Sequence, residues 1–383
     1  MNPELLPALY FHTFWTRPQF AESGINDSAL INLPDFEAVT WLASALEARR
    51  HGRLKLFTDE RGLRFIRNVG LEWVYNGGIS TELEAIPDTV HPAVFWSAGK
   101  LFAWRSIAEP AVSLDPDAIC WHPIGAEAPV VILHTEPLES PDYCYQEERY
   151  GRFGFSGPEW DWSVEPANAG ILSIADPSFA QRYAQEAIRF MVSFSEALRS
   201  QSVGFDPLGR NWADAMLFAE QRLVSMLLRR DGLRGAAIGR YDPRRQHLEF
   251  NPRCLHLWST KHFYPRCREA RVAYVNHLAQ HLLSRFPAAA ATLRAWQLDR
   301  PLTVESQPPD PDPPFPLRGS RDGHCRLGRI DGTVVVQDAN LEVKRPGYPG
   351  AVVGVAEILF PEPGTSFELT EMRHFDELPT AKT

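Results

Sequence analysis

Two carboxylates stand one residue apart in Ser113-Leu114-Asp115-Pro116-Asp117, where an apolar run stops. Paired hard oxygen ligands at that spacing can hold a divalent cation, and the cation can then neutralise a diphosphate. The same residues also fit a plain Asp-Pro turn at a strand end. The elements around them therefore carry much of the argument. Other chemistry-bearing patterns do not occur: the chain has no GxxxxGK[ST] loop, no G-x-S-x-G elbow, no HExxH and no zinc-type cysteine spacing.

The elements that must position the pair alternate. Apolar runs predict strands over 8–15, 54–57, 71–75 and 111–114. Helical spacing predicts helices over 35–50, after an Asp35 N-cap, and over 60–69 and 93–107. Further strands are expected over 129–133, 170–174 and 253–258, and helices over 177–200, 212–230 and 268–286. Strand and helix in alternation make an α/β fold with a mainly parallel central sheet flanked by helices, and ligands then sit at the carboxyl ends of the strands. After Trp296 the composition changes to PLTVESQPPDPDPPFPLR, an extended semi-rigid linker. Beyond it, turn signals between β-branched runs predict a small β element. The expected organisation is a main domain over 1–298, a Pro-rich linker over 299–318, a β-rich element over 319–373 and a frayed tail over 374–383.

The 383 residues suffice for two domains, or one large domain with an appendage. Lys and Arg number 39 against 48 Asp and Glu, a net charge of −9, which argues against nucleic acid or an anionic membrane as partner. Cys120, Cys144, Cys254, Cys267 and Cys325 are odd in number and scattered, which fits a reducing compartment, so a cytoplasmic location is expected. The start, MNPELLPALYFHTFW, has Glu4 where a secretion signal would carry positive charge, and no transmembrane segment is expected.

The succession HTFW (12–15), LKLFTDE (54–60), FWSAGKLFAW (95–104), EPAVSLDPDAICW (109–121), NAGIL (168–172) and AEQRLV (219–224) resembles a bacterial family of uncharacterised domains. That family is related to D-x-D nucleotide-sugar glycosyltransferases of the type-A fold, similar to glycogenin and galactosyltransferase-like enzymes. The resemblance implies a Rossmann-like domain binding a nucleoside-diphosphate sugar, UDP favoured, with Mn²⁺ or Mg²⁺ held by Asp115, Asp117 and a late histidine, His256. It implies that His12, Thr13, Thr58 and Asp59 lie beside the nucleoside, that Lys100 meets phosphate or sugar, and that Asn168 and Gly170 approach the donor sugar or acceptor. Glu220 and Gln221 match an acidic-Gln pair near the donor sugar, and Lys261 matches a lysine that meets the leaving diphosphate. The spacing from His256 to Lys261 is shorter than in the glycogenin-like pattern and lacks its glycine.

Several of these residues also have structural readings. Asp59 fits the N-cap of a helix starting at Glu60, Lys100 can snorkel to solvent, Asn168-Ala169-Gly170 fits a turn entering a strand, and Glu220-Gln221 fits a solvated helix face. Residues 143–162, YCYQEERYGRFGFSGPEWDW, fit an acceptor-binding loop that stacks rings on sugars, or a hydrophobic flap on the sheet. The run Arg229, Arg230, Arg234, Arg240, Arg244 and Arg245 reads as a solvated surface.

Transfer of a sugar builds negative charge on the leaving diphosphate, which a dication and a lysine stabilise. An inverting route needs a carboxylate base, with Asp161, Glu165 and Glu220 as candidates. The His256/Lys261 pattern leans instead towards retention. The acceptor expected is a saccharide, lipid-linked or protein molecule. The competing readings are a catalytically silent nucleotide- or sugar-binding protein on the same fold, and a scaffold that uses the C-terminal β element.

Overall fold

The computed structural model describes residues 9–23, 33–125, 128–140, 142–200, 212–239, 241–242, 247–248, 254–257, 264, 268–303, 324–330, 333–339, 341–342, 352–353 and 368–374. The chain divides into two units. The first comprises Met1–Asn32, Ala48–Pro116 and His122–Arg240, and the second Leu33–Glu47, Asp117–Trp121 and Tyr241–Thr383.

The first unit is a mixed α/β structure with a mostly parallel central sheet. Its strands are β1 (Leu9–Phe14), β2 (Arg53–Thr58), β3 (Ile79–Ser80) and β4 (Ala111–Leu114), followed, after β5 (Ala118–Cys120) of the second unit, by β6 (Val130–Ile132), β7 (Ile171–Ile174) and β8 (Gly235–Ala237). The sheet order is β3-β2-β1-β4-β7-β6-β8. β1 lies between β2 and β4, parallel to both, with Phe11 opposite Lys55 and Ser113. β7 alone runs against its neighbours, with Leu114 opposite Ile171. A central strand covered on both faces is apolar almost throughout, and Leu9, Tyr10 and Phe11 are all buried.

The helices are α1 (Arg17–Ser23), α2 (Asp35–Ala48), α3 (Glu60–Asn68), α4 (Ala98–Ser106), α5 (Gln146–Tyr150), α6 (Pro177–Arg199), α7 (Ala213–Leu217) and α8 (Leu223–Arg230). A π-helical turn, Phe218–Arg222, joins α7 to α8. α6 starts where Asp176 accepts the Ser178 amide at 2.9 Å and proline occupies the first turn. It buries Phe179, Tyr183, Ala187, Phe190, Phe194 and Leu198, spaced three or four apart, which is one helical face. That face meets the aromatic centre of the core: the Phe190 ring stands edge-on to Phe95 at 6.0 Å and to Tyr150 at 5.2 Å.

In the second unit β5 pairs antiparallel with β11 (Cys254–His256), placing His256 opposite Ala118 and Cys254 opposite Cys120. β9 (Tyr241–Asp242) and β10 (His247–Leu248) form a separate pair. α2 belongs mainly to this unit. Its Thr40 hydroxyl meets Tyr274 at 2.6 Å on α9 (Arg268–Arg285), and its buried Glu47 meets His281 at 3.0 Å and Arg285 at 3.1 Å. Short α10 (Ala290–Ala295) follows. β12 (His324–Ile330), β13 (Thr333–Ala339) and β16 (Glu368–His374) form an antiparallel sheet in the order β13-β12-β16, and β14 (Leu341–Glu342) pairs with β15 (Val352–Val353). Residues 304–323, with most of the Pro-rich segment, and 375–383, the expected tail, lie outside the described residues. No helix among the described residues is long and apolar enough to cross a membrane.

Two expected elements are corrected. Residues 71–75 form a 3₁₀ turn, Glu72–Val74, instead of a strand. Leu71, Val74 and Tyr75 are buried while Glu72 and Trp73 face outward, the three-and-four spacing of a helical turn and not the alternation of a strand. The strand comes later as β3, behind Gly77, whose amide bonds Leu54 O at 2.8 Å. A Cβ on Gly77 would sit 2.9 Å from that oxygen, so the close approach requires glycine. The helix expected over 93–107 starts only at Ala98, with Ser97 at the N-cap position.

Candidate functional site

β4 delivers Asp115 to the carboxyl edge of the sheet. Its amide donates to Gly170 O at 2.8 Å, continuing the β4–β7 ladder by one residue. Its carboxylate Oδ1 lies 2.7 Å from Lys100 Nζ. Lys100 reaches this point because α4 packs tightly: a Cβ on Gly99 would come within 2.9 Å of Leu83 Cδ1 and 3.1 Å of Trp15 Cβ. The Lys100 side chain is 2% exposed. It also donates to Ala169 O at 3.0 Å and to Glu220 Oε1.

These contacts correct two expectations. An ammonium has three donors, and here three protein oxygens take them. Lys100 therefore does not snorkel to solvent. Glu220 and Gln221 do not form a solvated face either, since both are buried. Burial opposes the charge on Lys100, but Asp115 and Glu220 outweigh it and hold the ammonium protonated well above its usual range. Burial pushes the Glu220 carboxyl up, against the pull of Lys100.

The π turn explains how consecutive polar residues are all buried. Glu220 turns to Lys100, Gln221 accepts from the Tyr143 hydroxyl, and Arg222 donates to Gln146 Oε1 and to the carbonyl of Trp162, each at 2.7 Å. Tyr183 secures the turn through the Glu220 carbonyl at 2.5 Å. π turns are often found at functional sites because the widened backbone re-aims side chains. Sequence reasoning missed Tyr183 and Arg222, and took Tyr143 only as the start of the aromatic segment 143–162. The available signal was Glu220-Gln221-Arg222 itself, three consecutive polar residues between the apolar runs 215–219 and 223–224.

Asn168 and Gly170 form the turn into β7. Asn168 Nδ2 donates to buried Glu136 at 2.9 Å, and its Oδ1 accepts the Gly170 amide at 3.1 Å. Asp59 is the N-cap of α3: Oδ1 accepts the Gly62 amide at 2.7 Å, and Oδ2 accepts both donors of Thr16, at 2.9 and 2.8 Å. Thr58 donates to Phe14 O at 2.6 Å, and buried His12 meets the Tyr75 hydroxyl at 3.3 Å, while Thr13 is half-buried beside them. These four residues cluster at the ends of β1 and β2.

In the second unit, His256 Nε2 lies 3.4 Å from Asp117 Oδ1, and the Leu257 amide donates to Asp117 O at 3.0 Å. The β5–β11 register sets this pair, because it continues from His256 opposite Ala118. Asp117 is linked to Asp115 through Pro116 alone. Lys261, Arg240, Arg244 and Arg245 lie outside the described residues. Of the candidate bases, Asp161 accepts from the Ser163 hydroxyl and amide, which hold its carboxyl below the usual range, and Glu165 is exposed. Cys144 is an exposed free thiol.

The family described as "Family of unknown function (DUF6734)" matches residues 9–289, well over half of the chain. The chain belongs to that family. The matched region contains the central sheet, the Lys100 group and the Asp117–His256 pair, and ends in α9 and the turn after it. No curated protein matches the sequence. Among solved structures, apo mouse xyloside xylosyltransferase 1 aligns over 58% of this chain and 82% of its own, at 10% identity and a TM-score of 0.29. The glycosyltransferase GlyE of Streptococcus pneumoniae TIGR4 aligns over 56% of this chain and 43% of its own, at 12% identity and a TM-score of 0.26.

Proposed function

We propose that this member of the family is a cation-dependent glycosyltransferase of the type-A fold, which moves a sugar from a nucleoside diphosphate, UDP favoured, to an acceptor with retention. The observation that carries the reading is the pairing of Asp117 with His256 at 3.4 Å, in a turn that also contains Asp115. Asp115, Asp117 and His256 are ligand types that together could hold a cation. Two carboxylates and an imidazole suit Mn²⁺, with Mg²⁺ favouring the oxygens. Bound there, the cation supplies neutralisation of the charge that grows on a leaving diphosphate.

The other residues prepare this turn. Lys100 fixes the Asp115 carboxylate through Oδ1, and Glu220 balances Lys100 from behind, so the ammonium acts as a positioning group. Gly170 holds the Asp115 backbone.

The test is release of UDP from UDP-glucose, UDP-galactose and UDP-xylose by the purified chain, with Mn²⁺ and with chelator. Release that needs the cation and disappears in Asp115→Asn and Asp117→Asn supports the reading. Absence of turnover with every donor would overturn the catalytic assignment.

A further inference from the structure

The π turn that sends Glu220 towards Lys100 sends Arg222, two residues on, into a different place. Arg222 lines a cleft of about 240 Å³ together with Tyr143, Trp162, Glu139 and Glu147. The cleft lies wholly within the first unit, and Glu139 and Glu147 of its lining are exposed.

Arg222 is buried, yet its three hydrogen bonds go to neutral oxygens: Gln146 Oε1 at 2.7 Å, Trp162 O at 2.7 Å and Tyr143 O at 3.2 Å. A guanidinium has five N–H donors, and no carboxylate among the described residues makes an ion pair with this one. Trp162 is held in place, with its ring stacked on Phe218 at 5.3 Å and its Nε1 donating to Phe155 O at 2.9 Å. Arg222 also lies over the Trp162 ring, 5.7 Å from its centroid, so the cleft combines a fixed aromatic side chain, planar hydrogen-bonding groups and exposed carboxylates.

Size and charge narrow the ligand. Pockets for drug-sized ligands span about 300–1,000 Å³, so this cleft suits one ring and not a nucleoside diphosphate. One guanidinium against two carboxylates leaves a net negative rim, which repels phosphate and carboxylate ligands. A purely apolar ligand would leave Glu139, Glu147 and the remaining Arg222 donors without exchange for water. Carboxylate and guanidinium groups can each bond two neighbouring hydroxyls, while the C–H face of a pyranose packs on an aromatic ring.

We propose that this cleft binds a neutral saccharide ring and is the acceptor subsite of the chain. Only the word acceptor rests on the transferase reading; saccharide binding does not. The continuous run Glu220-Gln221-Arg222 ties the cleft to Asp115 through Lys100, so a sugar held here is coupled to the acidic turn by a single rigid turn of helix.

Saturation-transfer NMR on the full chain, without metal or nucleotide, tests the proposal with methyl glucoside, methyl galactoside and methyl xyloside, and with glucuronate as an anionic probe. The expected result is transfer to a neutral glycoside, none to glucuronate, and at least a several-fold loss in Glu147→Ala and in Trp162→Ala. Glu147 is exposed, so that variant keeps the test valid if Trp162→Ala fails to fold. No transfer to any neutral glycoside, undiminished transfer in Glu147→Ala, or stronger transfer to glucuronate would each overturn the proposal. Glycoside binding by a chain that ignores cation and nucleotide leaves the cleft standing and removes the transferase reading; nucleotide binding without glycoside transfer does the reverse.

Discussion

Lys100 Nζ stands 2.7 Å from Asp115 Oδ1, on a side chain almost wholly removed from solvent. The first carboxylate of the acidic turn is therefore fixed from inside the protein before any ligand arrives. A buried ammonium with two carboxylates costs desolvation energy, and the arrangement is stable only because every donor on Lys100 has an acceptor.

Removing the ammonium leaves Glu220 buried without its counter-charge. Lys100→Met is expected to cost about 3–5 kcal/mol, as for other broken buried pairs. The double variant Lys100→Met/Glu220→Leu should lose less than the sum of the two singles, by about 1–3 kcal/mol. Urea denaturation at neutral pH measures all three, and single variants each costing under 1 kcal/mol would contradict the pairing.

Gly99 sets how closely α4 approaches the end of β1. Gly99→Ala brings a Cβ to 2.9 Å from Leu83 Cδ1, which the leucine side chain can relieve, and to 3.1 Å from Trp15 Cβ, where Trp15 or the helix must give by a few tenths of an ångström. A loss of about 1–3 kcal/mol is expected from such overpacking. Because Lys100 moves with the helix, cation affinity should fall as well, which titration with Mn²⁺ would read.

Asp59 joins β1 to the start of α3. Asp59→Ala removes the cap of α3 and both bonds to Thr16, so the loss should reach or exceed the upper part of the usual cap range, about 2 kcal/mol. Asp59→Asn should lose less, since its amide oxygen can still accept the Gly62 amide. Chemical denaturation of the pair ranks them, and equal losses would contradict the capping role.

The N-cap of α6 gives a pH dependence. Bonds from the Ser178 hydroxyl and amide, with Arg182 nearby, hold the Asp176 carboxyl below its usual range. The folded state thus binds its proton less readily than the unfolded chain, and the stability this provides is present at neutral pH and lost as pH falls through the folded value. Asp176→Asn keeps a capping oxygen but loses the charge at the helix N-terminus. It should cost about 0.3–1 kcal/mol at pH 7, with the difference from wild type shrinking towards zero in strong acid. Urea curves across that range check the sign.

The sheet was legible where strands are apolar on both faces. β1, β2 and β4 appear within a residue or two of their expected ends, because a buried central strand needs a nearly continuous apolar run. β3 was not legible: two residues behind a Gly77-Gly78 turn carry no period, and the stronger apolar signal just before them belongs to a 3₁₀ turn. Asp115 and Asp117 stood out because two acids close an apolar run. The partners of Lys100 did not, since Glu220 lies 120 residues away and a helical wheel of 3.6 residues per turn misplaces every side chain of a π turn. His256 became a candidate only by resemblance. The strand pairing that brings it to Asp117 is a long-range register, which local sequence does not encode.

Thermal unfolding of wild type and Asp117→Ala shows whether the acidic turn is a cation-dependent nucleotide site. Each is melted with UDP, GDP, ADP or CDP, with and without Mn²⁺. A ligand that binds only the folded state raises Tm by linkage, whatever the acceptor. The expected result is a rise that requires UDP and Mn²⁺ together and is lost in Asp117→Ala. No rise with any nucleotide, or a rise that persists undiminished in the variant, would contradict it.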